Sequence, residues 1–239
     1  MNKIIHKAAS RGHANHGWLR SHHTFSFASY QNLERMNFGM LRVLNDDVVE
    51  PKMGFGTHPH KNMEIISIPI SGALSHKDSM SNKRSIEVGE VQVMSAGTGV
   101  QHSEINGSSD EHLSLFQIWI FPDKQNVAPR YDQKSFDVNG RKNKLQTLVS
   151  SIQEDHKGSL KINQDAIISR IDLDENTTFE YKLKSKNHGV YIMTIFGKLT
   201  IAENLLETRD AIGISETDSF NIKTEEFSQL LFIEVPMNI

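Results

Sequence analysis

The chain contains no cysteine among its 239 residues. Disulfide bonds, thiolate catalysis, zinc–thiolate sites and iron–sulfur clusters are therefore excluded. Long apolar runs are also missing, because neither the N-terminal segment nor any later one is long enough for a signal peptide or a membrane span. We therefore expect a cytoplasmic protein that does not associate with membranes.

Positive charge is scarce as well. Lys and Arg total 26 against 29 Asp and Glu, which gives a formal net charge of −3, and no long basic run is present. Binding to a nucleic-acid backbone depends on dense positive charge, so direct nucleic-acid binding is not expected.

Strand signals are strong and helix signals are weak. Short runs rich in β-branched and apolar residues are preceded or followed closely by Gly or Pro, and they cover residues 65–70, 91–94, 113–121, 190–196, 199–201 and 230–235. Many short strands with this punctuation are typical of a β-sandwich or β-barrel.

The length of the chain suits two domains of about 100 residues each or one large β-rich unit. Residues 122–143 are polar and contain Pro129, Asn139 and Gly140, so we interpret them as the connection between two halves. Similar features follow one another loosely on either side of this segment, which favours a duplicated β-barrel.

Histidine is unusually frequent, and ten of the twelve lie in the first half. His58 and His60 are two residues apart, so on an extended strand both imidazoles point to the same face. On a helix they would diverge by about 200°. His102 and Glu104 repeat this spacing, and the long segment between the two pairs has room for several strands, so the pairs can meet across a barrel interior.

Three imidazoles and one carboxylate predict a divalent-metal site. These donors suit Fe(II), Mn(II), Co(II), Ni(II), Cu(II) or Zn(II) without choosing among them. Four protein ligands on a six-coordinate ion leave two open positions for chemistry. A single His-x-His pair is often coincidental, but two such pairs flanked by glycines are less so. Glu64 shares the parity of His58 and His60, and it competes with Glu104 for the role of carboxylate ligand.

Several motifs resemble a known family. Residues 54–60 with 63–65 resemble the first cupin motif, and residues 89–104 resemble the second. The second motif has Ser95 where cupins in general have proline, and its Ser-Ala-Gly-x-Gly-x-x-His-x-Glu form resembles that of pirins. Residues 20–27, 41–47 and 115–120 also resemble pirins. The match is specific over residues 18–129, whereas the second half resembles the pirin C-terminal cupin only in outline and has no His-x-His.

The resemblance implies an all-β fold of two cupin barrels (jelly rolls) packed face to face. It implies a metal-binding domain at residues 1–130 and a domain without metal at residues 131–239. The implied ligands are His58, His60, His102 and Glu104, with iron(II) as the first expectation for the metal. Glu64 then becomes a supporting or structural group.

The resemblance further implies an enzyme that opens the flavonol quercetin, or a related catechol-like compound, with O2 and releases carbon monoxide. Glu104 is then the catalytic residue, because a carboxylate on or near the ion can take the proton of the substrate 3-hydroxyl, whose pKa the ion lowers. We expect a monomer.

The alternative is an iron-dependent regulator that binds a transcription factor or a metabolic enzyme. An open pocket large enough for a three-ring flavonoid favours the enzyme, and a closed pocket with a basic outer patch favours the regulator.

Other side chains have less specific interpretations. His22, His23 and His76 have two interpretations. Either they orient the metal ligands, or at least two of them lie at the surface or the edge of the core. Phe25, Phe27, Phe38 and Trp119 are interpreted as core residues, of which one or more line the pocket.

Overall fold

The computed structural model describes residues 1–154 and 156–238, which are almost entirely β. The first twelve strands are β1 (Asn2–His6), β2 (Gly12–Asn15), β3 (Leu19–His23), β4 (Leu41–Val49), β5 (Gly54–His60), β6 (Glu64–Ser71), β7 (Ala73–Asp78), β8 (Lys83–Glu87), β9 (Glu90–Ser95), β10 (Val100–Asn106), β11 (Leu113–Ile120) and β12 (Arg130–Ser135). They are followed by β13 (Gln146–Ser151), β14 (Leu160–Ile162), β15 (Ile167–Leu173), β16 (Thr178–Lys182), β17 (His188–Phe196), β18 (Leu199–Ile201), β19 (Asn204–Leu206), β20 (Ala211–Ser215), β21 (Ser219–Thr224) and β22 (Ser228–Pro236). Two short 3-10 helices cover Ala8–Ser10 and Val138–Arg141. None of the helices described is long and apolar enough to cross a lipid bilayer.

The described strands form two barrels, and each barrel consists of one seven-stranded and one four-stranded sheet. The strand order in the N-terminal barrel is β12-β9-β6-β11-β4-β3-β2 and β5-β10-β7-β8. In the C-terminal barrel it is β1-β20-β17-β22-β15-β13-β14 and β16-β21-β18-β19. The predictions of an all-β chain and of two cupin barrels are confirmed.

The main hydrophobic core lies between the two seven-stranded sheets. Leu44 and Phe116 of the N-terminal barrel belong to the same buried cluster as Ile168 and Leu231 of the C-terminal barrel. Burial of apolar surface on both sheets therefore holds the barrels face to face, as the family resemblance implied.

The interiors of the two barrels are filled differently. The C-terminal barrel is packed with apolar side chains such as Ile192, Phe220 and Phe232. In the N-terminal barrel the apolar residues form two smaller clusters, one around Leu74 and one around Met94. The polar side chains described below occupy the remaining inner surface of the N-terminal barrel.

Strand pairing crosses the predicted domain boundary at residue 130 in both directions. Strand β1, at the N-terminus, pairs with β20 of the C-terminal barrel along its whole length. Strand β12, just after the boundary, pairs with β9 of the N-terminal barrel. The division at residue 130 remains a prediction, and the barrels are intertwined through these two edge strands.

The interpretation of residues 122–143 as a polar connection is wrong in part, because the segment contains β12 and a 3-10 helix. Strand β12 has no buried face and lies at the edge of its sheet. Because neither face of β12 is buried, its side chains carry no alternating apolar pattern that would reveal the strand.

Candidate metal centre

Two neighbouring strands bring the predicted histidine ligands together. Strands β5 and β10 are antiparallel, and His58 lies directly opposite His102. The ring centroids of His58 and His102 are 4.4 Å apart, and the His60 ring lies 4.9 Å from His58 and 4.8 Å from His102. The three rings share a face as the spacing predicted, but they meet between adjacent strands and not across the barrel.

A β-bulge separates His102 from Glu104. The register of β10 against β5 shifts between these two residues, so that Glu104 lies opposite Phe55. Gly54 makes this close approach of the strands feasible, because a Cβ at Gly54 would collide with the backbone oxygen of Glu104.

The imidazole nitrogens fit a metal ion. The Nδ1 atom of His58 donates to the Gly56 carbonyl at 2.7 Å, which leaves the Nε2 lone pair free. Among the described residues, Nε2 of His60 and both ring nitrogens of His102 are buried without a hydrogen-bond partner. Buried polar atoms are rarely left unpaired, so these atoms indicate a ligand.

Burial also holds the rings in the form that binds metals. It lowers the pKa of His60 to about 4 and that of His102 to about 2, and the neighbouring His58 acts in the same direction. Both rings are therefore neutral at pH 7, and a neutral imidazole is the metal-binding form.

The carboxylate of Glu104 is buried and held by two side chains. Ser67 donates to Oε1 at 3.0 Å, and Gln117 donates to Oε2 at 2.7 Å. Burial raises the pKa of Glu104 to about 7 although both hydrogen bonds oppose this shift. A nearby cation would reverse the shift, because it favours the charged carboxylate.

Potential ligands form two overlapping groups, each with its atoms within 4.8 Å of one another. One group contains His58, His60 and His102, and the other contains His76, His102 and Glu104. His102 belongs to both groups, whereas Glu104 belongs only to the second.

His76 is a feature that the sequence did not single out as a ligand. It lies on β7 opposite Glu104, and its Nε2 atom bonds to Asp78 Oδ2 at 3.2 Å. Its Nδ1 atom is buried and has no partner within residues 1–154 and 156–238. The structure thus places His76 beside His102, with a ring-centroid distance of 5.3 Å.

Glu64 is buried away from the three histidines. Its carboxylate accepts from Ser95 at 2.7 Å and from Asn163, on the C-terminal side of the interface, at 3.1 Å. The residues between β5 and β6 interrupt the extended chain, and for this reason the parity shared with His58 and His60 does not carry over to Glu64.

A row of polar side chains crosses the inner face of the large sheet below the site. Cross-strand pairing aligns the members of this polar row, which are His23, Asn45, Gln117, Ser67 and Gln92. Sequence reasoning missed Asn45, Gln117, Ser67 and Gln92. The sequence feature that could have revealed them is a polar residue inside an otherwise apolar strand, as in Ile-Ile-Ser-Ile around Ser67.

A pocket of about 360 Å³ leads from the surface to the histidines. Ligand pockets commonly measure about 300–1,000 Å³, so the volume suits a small organic molecule. The rings of Trp18, Phe27, Phe55 and Trp119 line its walls, and exposed Ser29 lies at its mouth. Trp119 contacts the His60 ring edge to face at a centroid distance of 4.8 Å.

The other aromatic and histidine predictions divide between pocket and core. Phe25 and Phe38 are buried in the core between the barrels, as predicted, whereas Phe27 and Trp119 line the pocket. His23 also lines the pocket, and His22 is half-buried against His13 at a centroid distance of 5.0 Å.

Two family models match the chain. The model described as Pirin matches residues 5–120, and the model described as Quercetinase C-terminal cupin domain matches residues 148–235. Together they span both barrels.

Curated proteins and solved structures match over nearly the whole chain. A protein named quercetin 2,3-dioxygenase from Escherichia coli (strain K12) is 43% identical over 97% of this chain and 98% of that protein. The crystal structure of YhhW from Escherichia coli is 41% identical and has a TM-score of 0.94 over 100% of this chain and 99% of YhhW. The structure of bacterial pirin YhhW in complex with nickel(II) has a TM-score of 0.92 and covers 100% of both chains.

Proposed function

Because the chain belongs to the pirin family, we propose that it is a metal-dependent dioxygenase that opens the ring of a flavonol such as quercetin with O2. The observation that carries the proposal is the aromatic-walled pocket that ends at three clustered imidazoles. Among the described residues, the rings of His60 and His102 have buried nitrogens without a hydrogen-bond partner. The relative named quercetin 2,3-dioxygenase supports the same reaction class.

We propose His58, His60, His102 and Glu104 as the metal ligands of a mononuclear site. Iron(II) is the ion we expect first. Manganese, cobalt, nickel, copper and zinc are the alternatives, since nitrogen and oxygen donors do not discriminate sharply among them. The related YhhW forms a complex with nickel(II), which supports a divalent ion at the equivalent centre.

Glu104 is the residue we assign to proton transfer. A bound divalent ion would supply the Lewis acidity that lowers the pKa of the substrate 3-hydroxyl. Glu104 accepts the released proton, and the hydrogen bonds from Ser67 and Gln117 hold its two oxygens in fixed positions meanwhile. In the overall reaction both atoms of O2 enter the opened product and carbon monoxide leaves.

The pocket walls bind and shield the flavonol. Trp18, Phe27, Phe55 and Trp119 offer faces and edges against which planar aromatic rings pack. The pocket is open to the surface at Ser29, so a substrate can enter. An open aromatic pocket is the feature that favours the enzyme over the regulator that binds a transcription factor or metabolic enzyme.

Anaerobic reconstitution with each divalent metal tests the proposal. Metal content is measured first, and O2 uptake and carbon monoxide release are then followed with quercetin. We expect at least one metal to give both signals in equal amounts. Full occupancy by every metal without turnover would reject quercetin-type dioxygenation.

A further inference from the structure

Strand β4 presents two polar side chains to the pocket away from the proposed ligands. Asn45 and Asp47 are two residues apart on this strand and therefore point to the same face. Both side chains line the pocket that ends at the histidines, and the exposed fractions of Asn45 and Asp47 are only 2% and 3%. A single bound molecule in this pocket can thus contact both the histidines and this pair.

Each of the two side chains has one polar atom held and one free. Ser21 Oγ donates to Asp47 Oδ1, and His23 Nδ1 donates to Asn45 Oδ1 at 3.0 Å. Asp47 Oδ2 and Asn45 Nδ2 have no hydrogen-bond partner in the part of the chain that the structure describes. The two residues therefore offer one free acceptor and one free donor to the same pocket, and Ser21 and His23 hold the other polar atom of each side chain.

This pair matches a hydroxyl group. A hydroxyl is both donor and acceptor, so it can donate to Asp47 Oδ2 and accept from Asn45 Nδ2 at the same time. Asp47 forms no salt bridge with any described residue, and burial raises the pKa of its carboxyl to about 7. A buried carboxyl group without a cation favours a neutral hydrogen-bond donor and disfavours an anionic ligand.

We propose that Asn45 and Asp47 form a subsite for a phenolic hydroxyl and select polyhydroxylated aromatic substrates over analogues without that hydroxyl. The inference rests on the proposed function, which orients the 3-hydroxyl of the flavonol toward the histidines. Asp47 is a specificity residue in this scheme and takes no part in the proton transfer assigned to Glu104. A site built to bind a hydroxyl discriminates strongly against an analogue lacking it, because its own buried polar atoms are then left unpaired.

The test compares two ligands that share the metal-binding end. Quercetin carries several ring hydroxyls, whereas 3-hydroxyflavone keeps only the 3-hydroxyl. Binding to nickel(II)-loaded protein is measured without O2 by quenching of the fluorescence of Trp18 and Trp119, which line the pocket. The variants are Asp47→Leu, which removes the acceptor, and Asp47→Asn, which keeps the size and the fold. Asp132→Asn, at an exposed carboxyl on β12, is the matched control.

We expect the unaltered protein to prefer quercetin by about 10-fold or more, the size of effect typical of a hydrogen bond to a charged group. Both Asp47 variants should lose most of this preference, while their affinity for 3-hydroxyflavone changes by less than about 3-fold. Equal weakening of both ligands would mean a merely structural role and would overturn the proposal, as would unchanged affinity for quercetin.

The binding test is independent of turnover. If the preference for quercetin depends on Asp47 but no metal supports O2 uptake, the hydroxyl subsite stands and the dioxygenase proposal fails. If turnover occurs but both ligands bind equally well, the dioxygenase proposal stands and the subsite fails.

Discussion

Glu104 is a buried carboxylate without a cation beside it among the described residues. Its exposed fraction is 2%, and its two hydrogen bonds come from the neutral side chains of Ser67 and Gln117. A charge in such a place is costly unless it is paired or binds a metal. Burial keeps the nearby rings of His60 and His102 neutral at pH 7, so these rings cannot compensate the charge. A divalent ion can, which makes Glu104 the carboxylate to test.

Replacing Glu104 separates it from Glu64, the competitor that the sequence left open. We expect Glu104→Gln to weaken binding of nickel(II) by at least about 10-fold, because even residues that only support a metal ligand have effects of 10- to 100-fold. Glu64→Gln is the matched control and should keep the affinity, since Glu64 is bonded to Ser95 and Asn163. Isothermal titration of the metal-free proteins measures the difference.

A variant of His76 tests the assignment of Glu104 as a metal ligand from the other side. It belongs to the ligand group that contains Glu104 and His102. If His76→Gln abolished binding while Glu104→Gln did not, the ion would be held by His76 in place of Glu104.

At this scale the sequence predicts the histidine cluster better than the residues around it. The clustering of His58, His60 and His102 was predictable because a repeated two-residue spacing implies a shared face of a strand. Ser67 and Gln117 were not found, because a lone polar residue in an apolar strand does not reveal which partner it contacts. Their roles depend on cross-strand pairing, which places Gln117 opposite Ser67.

At the scale of elements, alternation along β4 joins the pocket to the barrel interface. Asn45 and Asp47 face the pocket, whereas Asp46 between them bonds to Arg11 at 3.3 Å and to Arg209 of the C-terminal barrel at 3.1 Å. The two faces of one strand thus serve the site and the packing of the barrels.

Strand boundaries were largely predictable, and strand partners were not. The apolar run at residues 65–70 became β6, Glu64–Ser71, because a buried strand needs apolar side chains on both faces. By contrast, nothing in the first residues of the chain indicates that β1 joins the C-terminal barrel. Its side chains are exposed except that of His6, and the free edge of β20 determines its partner.

The stability of β1 should depend on pH through His6. This ring packs beside Phe25, and its Nδ1 atom lies 2.7 Å from the Tyr191 hydroxyl. Burial lowers the pKa of His6 from 6.5 to about 4, with a smaller contribution from Arg35. Protonation therefore favours the unfolded chain, so the stability that neutral His6 provides is complete above pH 6.5 and is lost as the pH falls toward 4.

Thermal melts of matched variants across this pH range measure the effect. We expect the difference in Tm between the unaltered protein and His6→Gln to shrink on acidification, because glutamine does not titrate. Ile4→Gln, at an exposed and non-titrating residue of the same strand, should show a Tm difference that does not vary with pH. A difference for His6→Gln that stays constant from neutral pH to pH 4 would contradict the assigned role.

At the scale of the whole molecule, the two barrels share one hydrophobic core and exchange edge strands. Phe116 and Leu231 belong to that core although they come from different barrels. Arg209 of the C-terminal barrel also lies over the Phe116 ring, 5.2 Å from its centroid. The N-terminal barrel is therefore stabilised by a partner barrel that contributes no ligand to the proposed site, and we expect the two barrels to unfold together.

Leu231→Ala tests this coupling, because Leu231 is fully buried in the shared core and lies outside the pocket. Truncation of a buried leucine to alanine costs about 2–5 kcal/mol, which lowers Tm by at least about 4 °C in a chain of this size. Both tryptophans, Trp18 and Trp119, are in the N-terminal barrel, so their fluorescence reports unfolding of that barrel alone. For Leu231→Ala we expect the fluorescence midpoint to fall as far as the circular-dichroism midpoint. The control is Leu205→Ala, at an exposed leucine of the C-terminal barrel, which should change neither midpoint. A fluorescence midpoint that stayed in place while the circular-dichroism midpoint fell would mean that the barrels unfold independently.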